Sequence, residues 1–116
     1  MGLNLKNHVR LSKASIGQEE IRNVTRVLES EYLGMGPEVA AFEKELSAYF
    51  GRPTICVSSG TAALQLALQA IGVGQGDEVL VQSLTYVASF QAISATGATA
   101  VCCDVDPTTI TLDLSD

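Results

Sequence analysis

The chain has 116 residues, of which 47% are hydrophobic and 17% charged, which is the size and composition of one small folded domain. Its formal net charge of −6 and its lack of a Lys or Arg cluster exclude a nucleic-acid-binding surface, since such surfaces neutralise phosphates with basic side chains. No apolar stretch is long enough to cross a membrane and no signal-peptide pattern is present, so we expect a cytoplasmic protein with no membrane partner.

The first half of the chain is predicted to hold two helices after an extended segment. Residues 1–15 mix polar and apolar side chains with no sustained period, so they are expected to form an extended lead-in. From residue 18 to residue 30, apolar residues recur at intervals of three and four and acidic residues occupy the first turn, which predicts an amphipathic helix. Pro37 suits the first position of a second helix, and Gly51 suits its end.

The segment SSGTAAL, residues 58–64, is predicted to join a buried strand to a buried helix. Residues 54–57 before it form a short, mostly β-branched run, whereas residues 61–71 after it are almost wholly apolar. The first N–H groups of a helix lack intrahelical partners, so a serine can cap them and Gly60 leaves room for an anion. From the residues alone, a phosphate site and a simple capped turn both stay open.

The second half of the chain alternates predicted strands and helices. A strand is expected at residues 78–82, a helix at 86–96 and a strand at 100–105, and this order is typical of a parallel sheet with right-handed crossovers. The glycines of residues 72–77 follow a helix and precede a strand, which is the reverse of a dinucleotide-binding loop and indicates a plain turn. Neither glycine-containing segment carries the Lys-Ser or Lys-Thr ending of a P-loop.

The ends of the predicted strands are expected to gather the functional residues. Ligands of parallel sheets bind beyond the carboxyl ends of the strands, which predicts that residues 59–62, 83–86 and 104–106 lie along one edge. Asp104 and Asp106 could form a metal-binding pair, but no histidine or further acid stands near them in the sequence. We therefore predict a strand end followed by a proline turn, and no metal site.

The cysteines and the histidine are not expected to do chemistry. Cys56, Cys102 and Cys103 fall in apolar strand-like runs, and their spacing is not that of a metal site. We predict that they are buried free thiols in a reducing compartment. His8 stands in a polar segment and is expected to be solvated rather than to act as a base.

A series of short motifs, taken in order, carries a family resemblance. They are LSK (11–13), IGQEEI (16–21), GP (36–37), FE (42–43), SGTAAL (59–64), GDEV (76–79), TYVAS (85–89), GA (97–98) and DVDP (104–107). With this order and spacing the chain resembles the N-terminal part of the DegT/DnrJ/EryC1/StrS family of pyridoxal-phosphate-dependent sugar aminotransferases. The resemblance implies an α/β fold in which residues 16–116 form an incomplete, N-terminal portion of the large cofactor-binding domain of the fold-type I transferases, with a mostly parallel sheet and flanking helices.

The same resemblance implies where pyridoxal 5′-phosphate (PLP) is held. Its phosphate is expected beside Gly60 and on the backbone amides of Thr61 and Ala62, with the Thr61 hydroxyl helping. Tyr86 is expected to lie flat against the pyridine ring, and the alternative for this residue is a core tyrosine. Tyr32 matches the segment that reaches the nucleotide-sugar pocket across a dimer interface, a position at which the family often has Trp.

No catalytic residue is assigned within the chain. In the family, the lysine that bonds the cofactor and the aspartate that contacts the pyridine nitrogen both lie beyond the last residue of this chain, and none of Lys6, Lys13 and Lys44 matches that lysine. The resemblance also implies that the strand at residues 54–57 pairs with the last strand of a seven-stranded sheet. The chain is therefore expected to be a fragment with uncovered apolar faces and edges.

The function implied for the parent protein is transfer of an amino group, with glutamate as the expected donor, to a nucleotide-linked 4-keto-6-deoxy sugar used in surface polysaccharide or glycoside biosynthesis. A homodimer is expected, and the chain by itself is not expected to turn over. Two alternatives stay open. One is a PLP-dependent sugar dehydratase, in which a histidine replaces the lysine, and the other is a non-catalytic remnant or interaction module.

Overall fold

The computed structural model describes residues 12–113, which hold four helices and two strands. In chain order these are α1 (Gln18–Glu29), α2 (Pro37–Phe50), α3 (Gly60–Ala70), β1 (Glu78–Gln82), α4 (Ala88–Ala95) and β2 (Thr99–Cys103). The chain divides between Thr54 and Ile55 into two compact units. Residues 12–17 have neither helix nor strand, and residues 1–11, the rest of the predicted lead-in, lie outside the described residues.

The first unit contains α1 and α2, as the sequence pattern predicts. In the first turn of α1, the Glu20 carboxylate accepts a hydrogen bond of 2.6 Å from the N–H of Gly17, the residue before the helix, and this satisfies a donor that the helix itself cannot pair. Pro37 is the first residue of α2, where its missing N–H costs nothing. Gly51 ends α2 in the left-handed conformation, with a φ of 64°.

The second unit is built on a parallel pair of strands, which confirms the predicted α/β class. Strands β1 and β2 pair in register from Glu78 opposite Thr99 to Gln82 opposite Cys103, and α4 forms the crossover between them. Helix α4 packs on both strands and on α3. A small core forms where these elements meet. Its buried members are Val81, Ile93 and Ala98, with Leu68, Val73, Val79, Phe90 and Ala100 packed around them.

The glycine-rich segment between α3 and β1 is a turn that leads directly into the strand. Gly72 and Gly76 have φ values of 90° and 94°, which other residues adopt only with strain. The Asp77 carboxylate accepts a hydrogen bond of 2.8 Å from the Gly74 N–H, and the Asp77 carbonyl accepts one of 2.9 Å from the Thr99 N–H. These contacts fix where β1 begins and agree with the predicted plain turn.

The strand predicted at residues 54–57 is wrong for this chain. Within the described residues the segment pairs with no other strand, and Ile55 is 73% exposed. A β-branched run becomes a strand only when a neighbour supplies hydrogen bonds, and β1 and β2 pair with each other instead.

Two predicted boundaries are also corrected. Helix α4 begins at Ala88 rather than at residue 86, and β2 ends at Cys103 rather than at residue 105. Beyond β2 the backbone turns back on itself, since Val105 forms an isolated antiparallel bridge with Leu112.

The prediction that all the cysteines are buried is wrong for Cys102. Cys103 is buried, Cys56 is partly buried and Cys102 is exposed. Consecutive residues of a strand point to opposite faces of the sheet, so Cys102 and Cys103 cannot share one covered face. Among residues 12–113, no helix has the length and apolar character needed to span a bilayer.

Candidate functional site

The start of α3 is a capped helix N-terminus. Ser59 is the N-cap residue, and its hydroxyl oxygen accepts a hydrogen bond of 3.1 Å from the Ala62 N–H. The Ser59 carbonyl accepts the first intrahelical bond, of 3.0 Å, from the Ala63 N–H. The N–H groups of Gly60 and Thr61 have no acceptor within the helix, because they belong to its first turn. They therefore stand at the positive end of the helix dipole.

The geometry at this helix start fits a phosphate group. A Cβ atom added to Gly60 would meet no atom within 4 Å, so a ligand can approach the backbone closely there. The partly buried Thr61 adds a hydroxyl to the same turn. The backbone amides of Thr61 and Ala62 are the predicted phosphate donors. The Thr61 N–H is directed out of the helix end, whereas the Ala62 N–H already donates to Ser59. The dianion of a phosphate is the kind of ligand that such an end favours.

Tyr86 lies in the turn that joins β1 to α4, in the same unit as the start of α3. Its carbonyl accepts a hydrogen bond of 3.1 Å from the Ser89 N–H, and the hydroxyl oxygens of Thr85 and Ser89 lie 3.3 Å apart. The Tyr86 side chain is 78% exposed, so in this chain it is not a core tyrosine. An exposed aromatic face at a strand end can stack on a planar ligand.

The loops after β1 and β2 lie side by side. The Ser83 N–H donates a hydrogen bond of 2.8 Å to the Cys103 carbonyl, which extends the strand pairing by one step. Residues 83–86 and 104–106 therefore leave the sheet at the same edge, as predicted from the parallel order.

Asp106 belongs to the turn that follows β2. Its carboxylate accepts hydrogen bonds from the N–H groups of Thr108, at 2.7 Å, and Thr109, at 3.1 Å, and these bonds hold the pKa of Asp106 below its ordinary value. Among the described residues no group of three metal-ligating side chains is assembled. The hydrogen bonds of Asp106 agree with the predicted strand end and proline turn.

Tyr32 lies in the loop between α1 and α2, within the first unit. Its hydroxyl donates a hydrogen bond of 3.1 Å to the Met35 carbonyl, and its ring covers Gly36 so closely that a Cβ there would overlap it. Tyr32 is one of the residues that line a cavity of about 810 Å³. The other residues that line this cavity are mostly apolar or small, with one charged pair: Arg26, Val27, Ser30, Leu33, Gly34, Gly36, Pro37, Glu38 and Val39.

The charged pair at this cavity is a feature that sequence reasoning missed. Arg26 Nη1 lies 2.8 Å from Glu38 Oε1, and Arg26 Nη2 lies 3.0 Å from Glu38 Oε2. These hydrogen bonds, together with the opposite charges, lower the pKa of Glu38 and raise that of Arg26. The two residues are twelve positions apart on different helices, so no local sequence pattern predicts the contact.

Comparison with known protein families gives a match over nearly the whole chain. Residues 14–116 match the model of the DegT/DnrJ/EryC1/StrS aminotransferase family. The chain is 46% identical over 110 residues to the spore coat polysaccharide biosynthesis protein SpsC of Bacillus subtilis strain 168. It is 37% identical over 111 residues to the dTDP-4-dehydro-2,3,6-trideoxy-D-glucose 4-aminotransferase of Saccharopolyspora spinosa. Each match covers 93% of this chain but only 28% and 29% of the two relatives, respectively.

Solved structures share the same fold. The PLP form of Spr1654 from Streptococcus pneumoniae superimposes with a TM-score of 0.79 and 40% identity, over 90% of this chain and 27% of that one. The GDP-4-keto-6-deoxy-D-mannose-3-dehydratase of Escherichia coli, with bound hydrated PLP, gives a TM-score of 0.78 over 90% of this chain and 29% of that chain. At 24% identity, the second likeness shows the fold alone.

Proposed function

Because the chain belongs to the DegT/DnrJ/EryC1/StrS aminotransferase family, we propose that the protein carrying it uses PLP to transfer an amino group to a nucleotide-linked keto sugar. The name of the Saccharopolyspora spinosa relative, a dTDP-4-dehydro sugar aminotransferase, supports this substrate class. Glutamate is the proposed donor, a 4-keto-6-deoxy sugar the proposed acceptor, and surface polysaccharide or glycoside biosynthesis the proposed use. The proposed working form is a cytoplasmic homodimer.

The observation that carries this proposal is the start of α3. The Gly60 and Thr61 N–H groups stand at the positive end of the helix with space in front of them, and the Thr61 hydroxyl lies in the same turn. These groups would hold the cofactor phosphate. The Ser59 hydroxyl, which accepts from the Ala62 N–H, would keep the helix end in shape while the phosphate binds.

Two tyrosines take the remaining roles in the proposal. Tyr86 would stack its ring on the pyridine ring of the cofactor and keep that ring in one plane. Tyr32 would contact the nucleotide sugar in the cavity that Tyr32 lines. When bound, PLP supplies an electron sink that lets an amino group pass between donor and acceptor. That chemistry needs a lysine, and none of Lys6, Lys13 and Lys44 stands at the position that the family resemblance gives it. The chain would therefore contribute cofactor binding, and the rest of the protein the proton transfer.

The test is PLP binding by the whole protein that carries this chain, followed by product analysis. Thr61→Val should raise the Kd for PLP roughly tenfold, because it removes a hydroxyl that binds a charged group, whereas Thr61→Ser keeps the hydroxyl and should bind like wild type. The mixture for product analysis contains glutamate and a dTDP-4-keto-6-deoxy sugar. An aminated sugar is the expected product.

The other outcomes separate the alternatives. A deoxygenated keto sugar with no nitrogen gained would identify a dehydratase. PLP binding without either product would identify a non-catalytic remnant. Absence of PLP binding, or equal PLP affinity for wild type and Thr61→Val, would contradict the phosphate site at α3.

A further inference from the structure

Arg26 and Glu38 join the two ends of the loop that carries Tyr32. Arg26 lies in the last turn of α1 and Glu38 in the first turn of α2, so the loop of residues 30–36 runs between them. The two hydrogen bonds of 2.8 and 3.0 Å form a fork in which each of the two terminal guanidinium nitrogens donates to its own carboxylate oxygen. Each charge also suits its own helix end, since a cation favours a C-terminus and an anion an N-terminus.

The hydrogen bonds of Tyr32 tie it to the loop and, through Ser30, to the end of α1. The Tyr32 hydroxyl donates to the Met35 carbonyl, and the Tyr32 N–H donates at 3.4 Å to the Ser30 hydroxyl, which in turn donates at 2.7 Å to the Val27 carbonyl. None of these bonds reaches α2. The fork between Arg26 and Glu38 is the contact that joins the two helices directly, from the last turn of α1 to the first turn of α2.

We propose that the Arg26–Glu38 pair is a clasp that sets the span of the loop and thereby the position of Tyr32 in the cavity wall. Both charged residues line the cavity of about 810 Å³ that Tyr32 also lines. The identity of the ligand at Tyr32, a nucleotide sugar, rests on the proposed function. Arg26 and Glu38 are then positioning residues, which act on the ligand through Tyr32 rather than through a charge of their own.

The first arm of the test measures the loop without any ligand. Hydrogen exchange of residues 30–36 is followed by mass spectrometry in the whole protein that carries this chain. Exchange should be roughly threefold faster in Arg26→Gln and in Glu38→Gln, because loss of the fork lets the loop open more often. Arg22→Gln removes the same charge from the same helix without touching the fork and should exchange like wild type. The reversed double variant, Arg26→Glu with Glu38→Arg, should recover part of the protection.

The second arm measures the Kd for dTDP by calorimetry with the same variants. Arg26→Gln should weaken dTDP binding roughly threefold, with partial recovery in the reversed pair and no change in Arg22→Gln. Tyr32→Ala should weaken binding by a larger factor, and Arg26→Gln should add nothing to it, since the clasp acts only through that ring.

The outcomes separate the clasp from the proposed function. If Tyr32→Ala weakens dTDP binding while Arg26→Gln changes neither Kd nor exchange, the clasp is wrong and the proposed function stands. If the wild type does not bind dTDP, or Tyr32→Ala binds dTDP as wild type does, the ligand role of Tyr32 is wrong, and the exchange measurement alone decides the clasp: unchanged exchange in Arg26→Gln and Glu38→Gln overturns it. If Arg26→Gln weakens binding equally in the absence of the Tyr32 ring, Arg26 contacts the ligand directly and the positioning role is overturned.

Discussion

The hydroxyl oxygen of Ser59 accepts a hydrogen bond from the Ala62 N–H at 3.1 Å, and this bond closes the first turn of α3. Replacement by alanine leaves that N–H without its acceptor. We expect Ser59→Ala to lower the free energy of unfolding by about 1 kcal/mol, measured by urea denaturation. Ser58→Ala is the matched control and should stay within about 0.5 kcal/mol of wild type, because Ser58 lies outside the helix cap. Equal losses for the two serines would contradict the assignment of Ser59 as the cap.

The Tyr32 ring lies close to Gly36, so alanine should be less well tolerated at Gly36 than at Gly34, another glycine of the same loop. A Cβ at Gly36 would overlap the ring, whereas a Cβ at Gly34 would meet nothing within 4 Å. Gly36→Ala should therefore displace the ring and break its bond to Met35, at a cost of about 1 kcal/mol in unfolding free energy. Gly34→Ala should be close to neutral.

A double-mutant cycle checks the cause of that loss. In a Tyr32→Ala background the added methyl group meets no ring, so Gly36→Ala should cost much less there than in the wild type. A penalty that persists without the ring would mean that the Gly36 backbone, and not the Tyr32 contact, excludes alanine.

The turn between α3 and β1 separates glycines that the backbone requires from one that it does not. Gly72 and Gly76 have φ values of 90° and 94°, so alanine at either position should cost about 1 to 2 kcal/mol in unfolding free energy. At Gly74 a Cβ would make an ordinary contact of 3.8 Å with the Thr96 carbonyl oxygen, and Gly74→Ala should be neutral or slightly stabilising. Thermal or urea unfolding of the three variants ranks them by stability. If Gly74→Ala is the most harmful, the turn assignment is wrong.

We expect the contribution of Glu20 to the stability of α1 to depend on pH in the acid range. Its carboxylate accepts hydrogen bonds from its own N–H and from the Gly17 N–H, which lowers its pKa from the ordinary 4.5. The folded state therefore binds fewer protons than the unfolded state just below that value. The contribution is fully present above about pH 4.5 and is lost as the pH falls through the lower, folded pKa.

The measurement is the difference in unfolding free energy between wild type and Glu20→Gln as a function of pH. This difference should be largest near neutral pH and should shrink in acid. Glu19→Gln is the control, because it removes a carboxylate from the same first turn without touching the Gly17 bond. A difference that does not change between pH 7 and pH 3 would contradict the role of the Gly17 bond.

Part of the candidate site was predictable because it is local. Ser59, Gly60 and Thr61 are neighbours in the sequence, and a helix cap depends on the order of residues within one turn. The roles of Tyr86 and Tyr32 came from the family resemblance and stay predictions. The Arg26–Glu38 pair could not be predicted, since many acidic residues stand within reach of an arginine along a chain and only the fold selects one of them.

The sequence by itself determined the elements whose hydrogen bonds are made within a few residues: α1, α2, α3, the glycine turn and the start of β1. Only the tertiary structure decided that β1 and β2 pair in register, that residues 54–57 form no strand in the described chain, and that Cys102 is exposed beside a buried Cys103. The physical reason is the range of the interactions. Helix and turn energies depend on neighbours along the chain, whereas strand pairing and burial depend on segments far apart in the sequence, and only the fold brings these together.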